Sequence, residues 1–377
     1  TYSLHFVVNS SILDKVSFHI ACKFCSLLIE NIQMCPATKY NISKQITNEL
    51  FTYKNIVLLR GVTADSQFCP AGCLPSGTKT ILLLLYIENI AVYMKNSVFR
   101  DFERVITFDG RKRTDKYDGH FAAFHINNCS FVNISSIRSG GVLDIFLSEK
   151  LFVKFSIIIT HSKFIENFAT TKGGVLNFES KALVLYETQY PEVLITNCLF
   201  LDNFANKSGG TIHTGPQIRI TIINSTFIFK SYGIKSYLTN IKGVFVAAEG
   251  SIHLENVIFI LEPWTSSISN LIYLSPLESS KNTKQSVYLS FKFQCPSWQR
   301  TEVTSEYNDK RGLKLLTAVC KHCPFAMYAP KFCHQSMLYE KHLVEFKNYS
   351  VHNLAVGNDD TCTKCPFGGI CLSGLPL

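Results

Sequence analysis

"NCLFLDNFANKSGGTI" occupies residues 197–212 and has two near-copies upstream, "HSKFIENFATTKGGVL" (161–176) and "NCSFVNISSIRSGGVL" (128–143). Each holds a Phe followed nine and ten residues later by a Gly-Gly pair. With that Phe as an anchor, the layout recurs at Phe99, Phe131, Phe164, Phe200, Phe227 and Phe259, at intervals of 32, 33, 36, 27 and 32 residues. Seven residues before the anchors stand Val92, Phe124, Ile157, Val193, Ile220 and Ile252. Five before stand Met94, Ile126, Ile159, Ile195, Ile222 and Leu254. Three before stand Asn96, Asn128, His161, Asn197, Asn224 and Asn256, and two before stand Ser97, Cys129, Ser162, Cys198, Ser225 and Val257.

Apolar residues two apart predict a strand, and the small residue with the Phe predicts the start of a second one. Asn between them suits a bend, because it tolerates left-handed backbone angles. The column Asn96, Asn128, Asn197, Asn224 and Asn256 is expected to form a structural ladder facing the interior, amide bonded to amide. The glycines mark a second bend, where positive φ or close backbone approach is needed. Repeats of 20–50 residues that cannot bury a face alone stack into solenoids. The fold class expected is all-β, a right-handed parallel β-helix over 1–293. Upstream matches at Asn55 with Leu58, Asn31 with Met34 and Asn9 with Ile12 bring the expected count to nine coils. A β-propeller is disfavoured, because blades need about 40 residues and two intervals are as short as 22 and 24.

"FIEN" (164–167) and "FLDN" (200–203), with "GGVL" and "GGTI" after them, resemble the FxxN and GGxI repeats of chlamydial polymorphic membrane proteins. "FVNI" (131–134) departs from that pattern. The resemblance implies a surface-exposed β-helix in a membrane-anchored or secreted protein.

Fourteen cysteines point to an oxidising compartment, since twelve of them cluster outside the central repeat. The disulfide candidates are Cys22, Cys25, Cys35, Cys69 and Cys73 toward one end, and Cys295, Cys320, Cys323, Cys333, Cys362, Cys365 and Cys371 toward the other. Cys129 and Cys198 share a column two coils apart, about 9.6 Å at the spacing of strands. A disulfide cannot span that, so both are expected as buried free thiols. "CKHCPFAMYAPKFC" (320–333) and "CTKCPFGGIC" (362–371) resemble ephrin-receptor-like, EGF-like cysteine modules, with Ala326 in place of the usual Gly. The resemblance implies a small disulfide-rich module over 294–377. A zinc ribbon using the same Cys-x-x-Cys pairs, with His322 and His334 nearby, is the alternative, although the pairs are spaced more widely than such ribbons allow. Seven cysteines in that module is an odd number. A chain that starts at Thr1 without Met or signal peptide, and carries this odd count, is expected to be a fragment that continues past Leu377.

The longest clean apolar run, "ILLLLYI" (81–87), is stopped by Glu88, so no segment reads as a membrane-spanning helix. Any membrane anchoring is expected through a segment outside this chain. The net charge is +9, but the basic run "GRKRTDK" (110–116) lacks an aromatic-basic platform, which argues against nucleic acid as a partner. Seven Asn-x-Ser/Thr sequons occur. Those at Asn41, Asn133, Asn206 and Asn348 are the glycosylation candidates, on loops. Those at Asn9, Asn128 and Asn224 are expected to stay bare, as ladder positions facing inward.

The polygalacturonase-like motifs Asn-Thr-Asp, Gly-His-Gly and Arg-Ile-Lys are absent. The best polar stripe lies thirteen residues past three anchors, at Asp144, Asn177 and His213. Alternation points it outward, as an exposed stripe. An acid, an amide and an imidazole could do proton transfer, but an ordinary surface stripe explains them as well. No catalytic, cofactor-binding or metal residue is assigned and no cofactor is expected. The function expected is non-enzymatic: adhesion, display, or binding of a protein or glycan ligand at the cell surface. The alternative is a pectin-lyase-like enzyme acting on polysaccharide.

Overall fold

The computed structural model describes side chains over 90–108, 122–147, 155–180, 191–216, 218–230 and 245–260, with Arg60, Val62, Tyr273 and Phe291; a further set of strands is described by its backbone alone. Every described element is a strand or a bend.

The bend before each anchor sets the coil. Asn96, Asn128, His161, Asn197, Asn224 and Asn256 all adopt φ between 49° and 53°. This left-handed conformation is costly for most residues and least so for Asn. The bend splits each copy into two short strands, as in Glu192–Thr196 and Leu199–Leu201. It also reverses which side chains point in. The small residue after it is buried, and the Asn itself turns out into solvent. The expectation of an inward-facing Asn column is therefore corrected. Alternation cannot be carried through a left-handed residue, which rotates the chain by half a pleat.

Equivalent strands pair in parallel, coil on coil. Val193 is flanked by Ile157 and Ile220, and Ile195 by Ile159 and Ile222. The two apolar columns before each bend are buried from Val92 to Leu254. The anchors form a column of rings. Centroids lie 5.3 Å apart for Phe99 and Phe131, 5.0 Å for Phe131 and Phe164, 5.0 Å for Phe164 and Phe200, and 4.4 Å for Phe200 and Phe227. Interplanar angles in these pairs are 14° or less. The strand repeat thus imposes offset stacking, which adds about 0.5–1.5 kcal/mol per pair beyond burial. Phe227 and Phe259 follow at 5.1 Å with the rings tilted by 31°.

The glycine pair closes the coil. Gly140, Gly173 and Gly209 have φ of 63°, 60° and 57°. The second glycine serves close approach instead. A Cβ on Gly141 would lie 1.9 Å from the Gly174 carbonyl oxygen, and one on Gly174 would lie 2.3 Å from that of Gly210. Coils at this corner touch backbone to backbone, so neither glycine of the pair can be replaced by the other's reasoning. After the corner the chain enters the second sheet at Leu143–Leu147, Leu176–Ser180 and Ile212–Thr214. A short third sheet joins Ser135–Ser136, Phe168–Ala169 and Phe204–Ala205.

Over residues 90–260 the solenoid makes about four turns, fewer than the nine coils counted from sequence. Upstream, Leu4–Asn9, Cys25–Glu30 and Asn55–Arg60 pair in parallel onto Ile90–Lys95. Two of the upstream matches are corrected in register. Val92 pairs with Val57 and Phe99 with Ala64, so Ala64, not Leu58, takes the anchor place. Likewise Met34 pairs with Leu13, not Ile12. The first error arises because a period of two fits any even offset in an apolar run, here six residues. Parallel pairing continues to Val287–Gln294, whereas Gln299–Asn308 and Gly312–His322 pair antiparallel with each other.

Candidate functional site

The polar stripe lies on the second sheet, where Thr107, Asp144, Asn177, His213, Ala247 and Tyr273 occupy successive rungs of one column. Asp144 and Asn177 are joined by an amide-to-carboxylate hydrogen bond of 2.9 Å. Asp144 also meets the Arg104 guanidinium at 3.2 Å. Arg104 is itself buried and well bonded. Its Nε donates to the Gly140 carbonyl at 3.2 Å, Nη2 to Ser136 Oγ at 2.7 Å and Nη1 to Thr107 Oγ1 at 2.9 Å. Burial is the main influence on its pKa and lowers it, with the Asp144 carboxylate acting in the opposite sense. Arg104 ties the glycine corner to the sheet, a role that its place at the start of the strand Arg104–Asp109 did not reveal.

The stripe is not the exposed one expected. Asn177 and His213 are 4% and 1% exposed. Alternation assigned the correct side of the sheet, but it does not report what else covers that side. His213 Nδ1 lies 3.2 Å from Ser208 Oγ. Its Nε2 is 3.9 Å from Glu179 Oε1, too far for a hydrogen bond, and Glu179 pairs with Lys172 at 2.9 Å. Burial, aided by the nearby Lys172 charge, pushes the His213 pKa down to about 3. A general base at neutral pH works best with a pKa near 7, so this imidazole is poorly tuned for that task. His213 Nε2 and Asn177 Oδ1 are buried without a hydrogen-bond partner among the described residues.

Two further columns organise polar groups. Ser162 Oγ accepts the Cys129 N–H at 3.1 Å and donates to the Thr160 carbonyl at 2.8 Å. Ser225 repeats this with the Cys198 N–H at 3.1 Å and the Ile223 carbonyl at 2.9 Å. Cys129 and Cys198 occupy the same places, buried and free. Desolvation pushes both thiols up to about 11, against the milder effect of their backbone hydrogen bonds. The second column, Asn167 and Asn203, is buried in the FxxN segments. It was missed as a ladder from sequence. The signal was available, since the aligned residues Phe102 and Ile134 are apolar.

The solvent side of the first sheet is a broad stepped surface. Tyr93, His125, Ile158, Leu194, Thr221 and His253 follow one another across it, all half-buried. Tyr93 stacks on His125 at 4.9 Å. Seven residues further along each copy, past the bend, runs an apolar column of Val132, Ile165, Leu201, Ile228 and Ile260, equally half-buried.

Of the glycosylation candidates, Asn133 and Asn206 are exposed. Asn41 lies in the strand Lys39–Ser43, whose side chains are not described, and Asn348 lies outside the described residues. Among the disulfide candidates, Cys25, Cys320 and Cys371 lie in strands described by backbone alone. Cys22, Cys35, Cys69, Cys73, Cys295, Cys323, Cys333, Cys362 and Cys365 lie outside the described residues, as does the basic run 110–116. Among the described residues no group of three or more His, Cys, Asp or Glu could hold a metal ion, and no helix is long and apolar enough to cross a membrane. Comparison with protein families, with curated proteins and with solved structures finds no match.

Proposed function

We propose that this chain is a non-enzymatic, extracellular region of a membrane-anchored or secreted protein, and that it binds a protein or glycan ligand on the outer face of its first sheet. In this reading the solenoid is right-handed and is followed by a disulfide-rich module. Anchoring is through a segment outside this chain. The observation that carries the proposal is the outer face itself. Val132, Ile165, Leu201, Ile228 and Ile260 follow one another rung by rung, and all keep part of their surface in water. Contiguous half-exposed apolar side chains of this kind are a feature of interaction surfaces. The burial of Asn177 and His213, with the depressed pKa of His213, counts against catalysis by that stripe.

The test uses the full chain secreted from eukaryotic cells, coated on a surface and presented with cells and with an array of glycans. Saturable binding is expected, lost in Leu201→Lys without a fall in thermal midpoint. Release of new reducing ends from a uronic-acid polysaccharide would instead establish the enzyme.

A further inference from the structure

The outer asparagine column is a series of pairs, not a continuous ladder. Asn128 Nδ2 donates to Asn96 Oδ1 at 2.9 Å, Asn197 Nδ2 meets His161 Nε2 at 3.3 Å, and Asn256 Nδ2 donates to Asn224 Oδ1 at 2.8 Å. No side-chain bond joins Asn128 to His161 or Asn197 to Asn224. The second break falls at the shortest interval among the six Phe-anchored copies, the 27 residues between Asn197 and Asn224. The Asn224 side chain therefore only accepts. Its Oδ1 is engaged by Asn256, while its own Nδ2 is left exposed without a partner among the described residues.

Asn224-Ser225-Thr226 is a sequon, and so are the segments starting at Asn128, Asn133 and Asn206. All four asparagines are exposed. They differ in what Nδ2 does. In Asn128 it is committed to Asn96, and in Asn133 it donates to Asp101 Oδ1 at 2.6 Å. A sugar on either would crowd a hydrogen bond that stitches adjacent coils. A sugar on Asn224 would leave its one bond intact, because that bond uses the carbonyl oxygen.

We propose that Asn224 is a site of N-linked glycosylation, and that Asn128, although exposed in the same column, stays bare. The inference rests on the extracellular reading above. In the reaction, Nδ2 attacks C1 of a lipid-pyrophosphate-linked oligosaccharide. The N–C1 bond forms, the C1–O bond to the pyrophosphate carrier breaks, and one amide proton is released. Modification precedes folding, so the fold selects chains in which the sugar can point to solvent with the coil contacts preserved.

The experiment is secretion of the full chain from eukaryotic cells, enzymatic deglycosylation in heavy-oxygen water, and peptide mass spectrometry over all four sequons. A heavy-oxygen label at residue 224 and none at 128 is the expected result. Asn224→Gln should also lower the apparent mass by one glycan, and Asn128→Gln should not. If either variant fails to be secreted, the peptide map of the native chain still decides. Labels at Asn133 or Asn206 with Asn224 bare would overturn this inference and leave the extracellular reading standing. Equal labelling of Asn128 and Asn224 would overturn the argument from pairing. A secreted chain bare at every sequon would overturn the inference and remove glycosylation from the extracellular reading.

Discussion

Asn167 Nδ2 lies 2.8 Å from Asn203 Oδ1, and both side chains are buried. Asn167 also donates to the Phe131 carbonyl at 3.1 Å and accepts the Ile134 N–H at 3.0 Å, so one amide joins three coils. Asn203 Nδ2 continues to the Phe164 carbonyl at 2.9 Å. Asn167→Ala strands a buried N–H and a buried carbonyl, each costing about 1–3 kcal/mol. A loss of at least ~2 kcal/mol is expected in urea melting. Asn197→Ala, on the exposed column, strands no buried group but puts Ala into a left-handed backbone conformation, and is expected to cost about 1 kcal/mol. A larger loss for Asn197 than for Asn167 would reverse the assignment of the two columns.

Gly141 and Gly215 make a matched pair of tests. A Cβ at Gly141 meets the Gly174 carbonyl oxygen at 1.9 Å, whereas at Gly215 the nearest atom is 3.5 Å away, ordinary contact. Gly141→Ala must push one coil away from the next, at the upper end of overpacking costs, about 3 kcal/mol. Gly215→Ala is expected to be close to neutral. Thermal melting of the two variants measures the difference, and equal midpoints would mean that the corner is more open than described.

The repeat was legible because burial forces period and spacing together. The columns headed by Val92, Met94 and Phe99 pair rung by rung as they align in sequence. The glycine pair was legible in outline, with positive φ at its first member and close approach at its second. The facing of Asn128 and Asn224 was not, because their left-handed backbone breaks the alternation used to infer it. The stripe at Asp144, Asn177 and His213 was placed on the correct sheet side and misjudged in exposure. Local alternation carries no information about what packs over an outer face. Arg104 was missed for the same reason, since its partners Ser136, Gly140 and Asp144 are 32 or more residues away.

His213 makes stability depend on pH in a defined window. Its pKa is about 3 in the folded chain and about 6.5 in an unfolded one. Below pH ~6.5 the unfolded chain takes up a proton that the folded chain refuses. The contribution is thus intact above that pH and is lost as pH falls toward 3, by at most about 1.4 kcal/mol per pH unit. The difference in unfolding free energy between the native chain and His213→Gln is expected to shift against the native chain between pH 7 and 4. A difference independent of pH across that range would contradict burial of a neutral imidazole.

Cys129 and Cys198 are expected to resist alkylation at pH 8 until the chain unfolds. Both thiols are buried, with pKa raised to about 11, and the thiolate is the reactive form. Iodoacetamide treatment followed by peptide mass spectrometry, with and without urea, measures this. Rapid labelling of either residue in the folded chain would show that the small-residue column is open to solvent.

The stacking of coils can be read from a pair of engineered cross-links on the outer face. Leu194 is in register with Thr221 one coil on, and Thr196 with Ile223. Parallel neighbours lie about 4.8 Å apart, within the Cα separation a disulfide accepts, whereas two residues out of register the separation is about 8 Å, beyond it. Leu194→Cys with Thr221→Cys should therefore oxidise to a bonded pair found by mass spectrometry, while Leu194→Cys with Ile223→Cys should not. Bonding in the second pair and not the first would mean that the strands do not stack in this parallel register, and the solenoid would have to be abandoned.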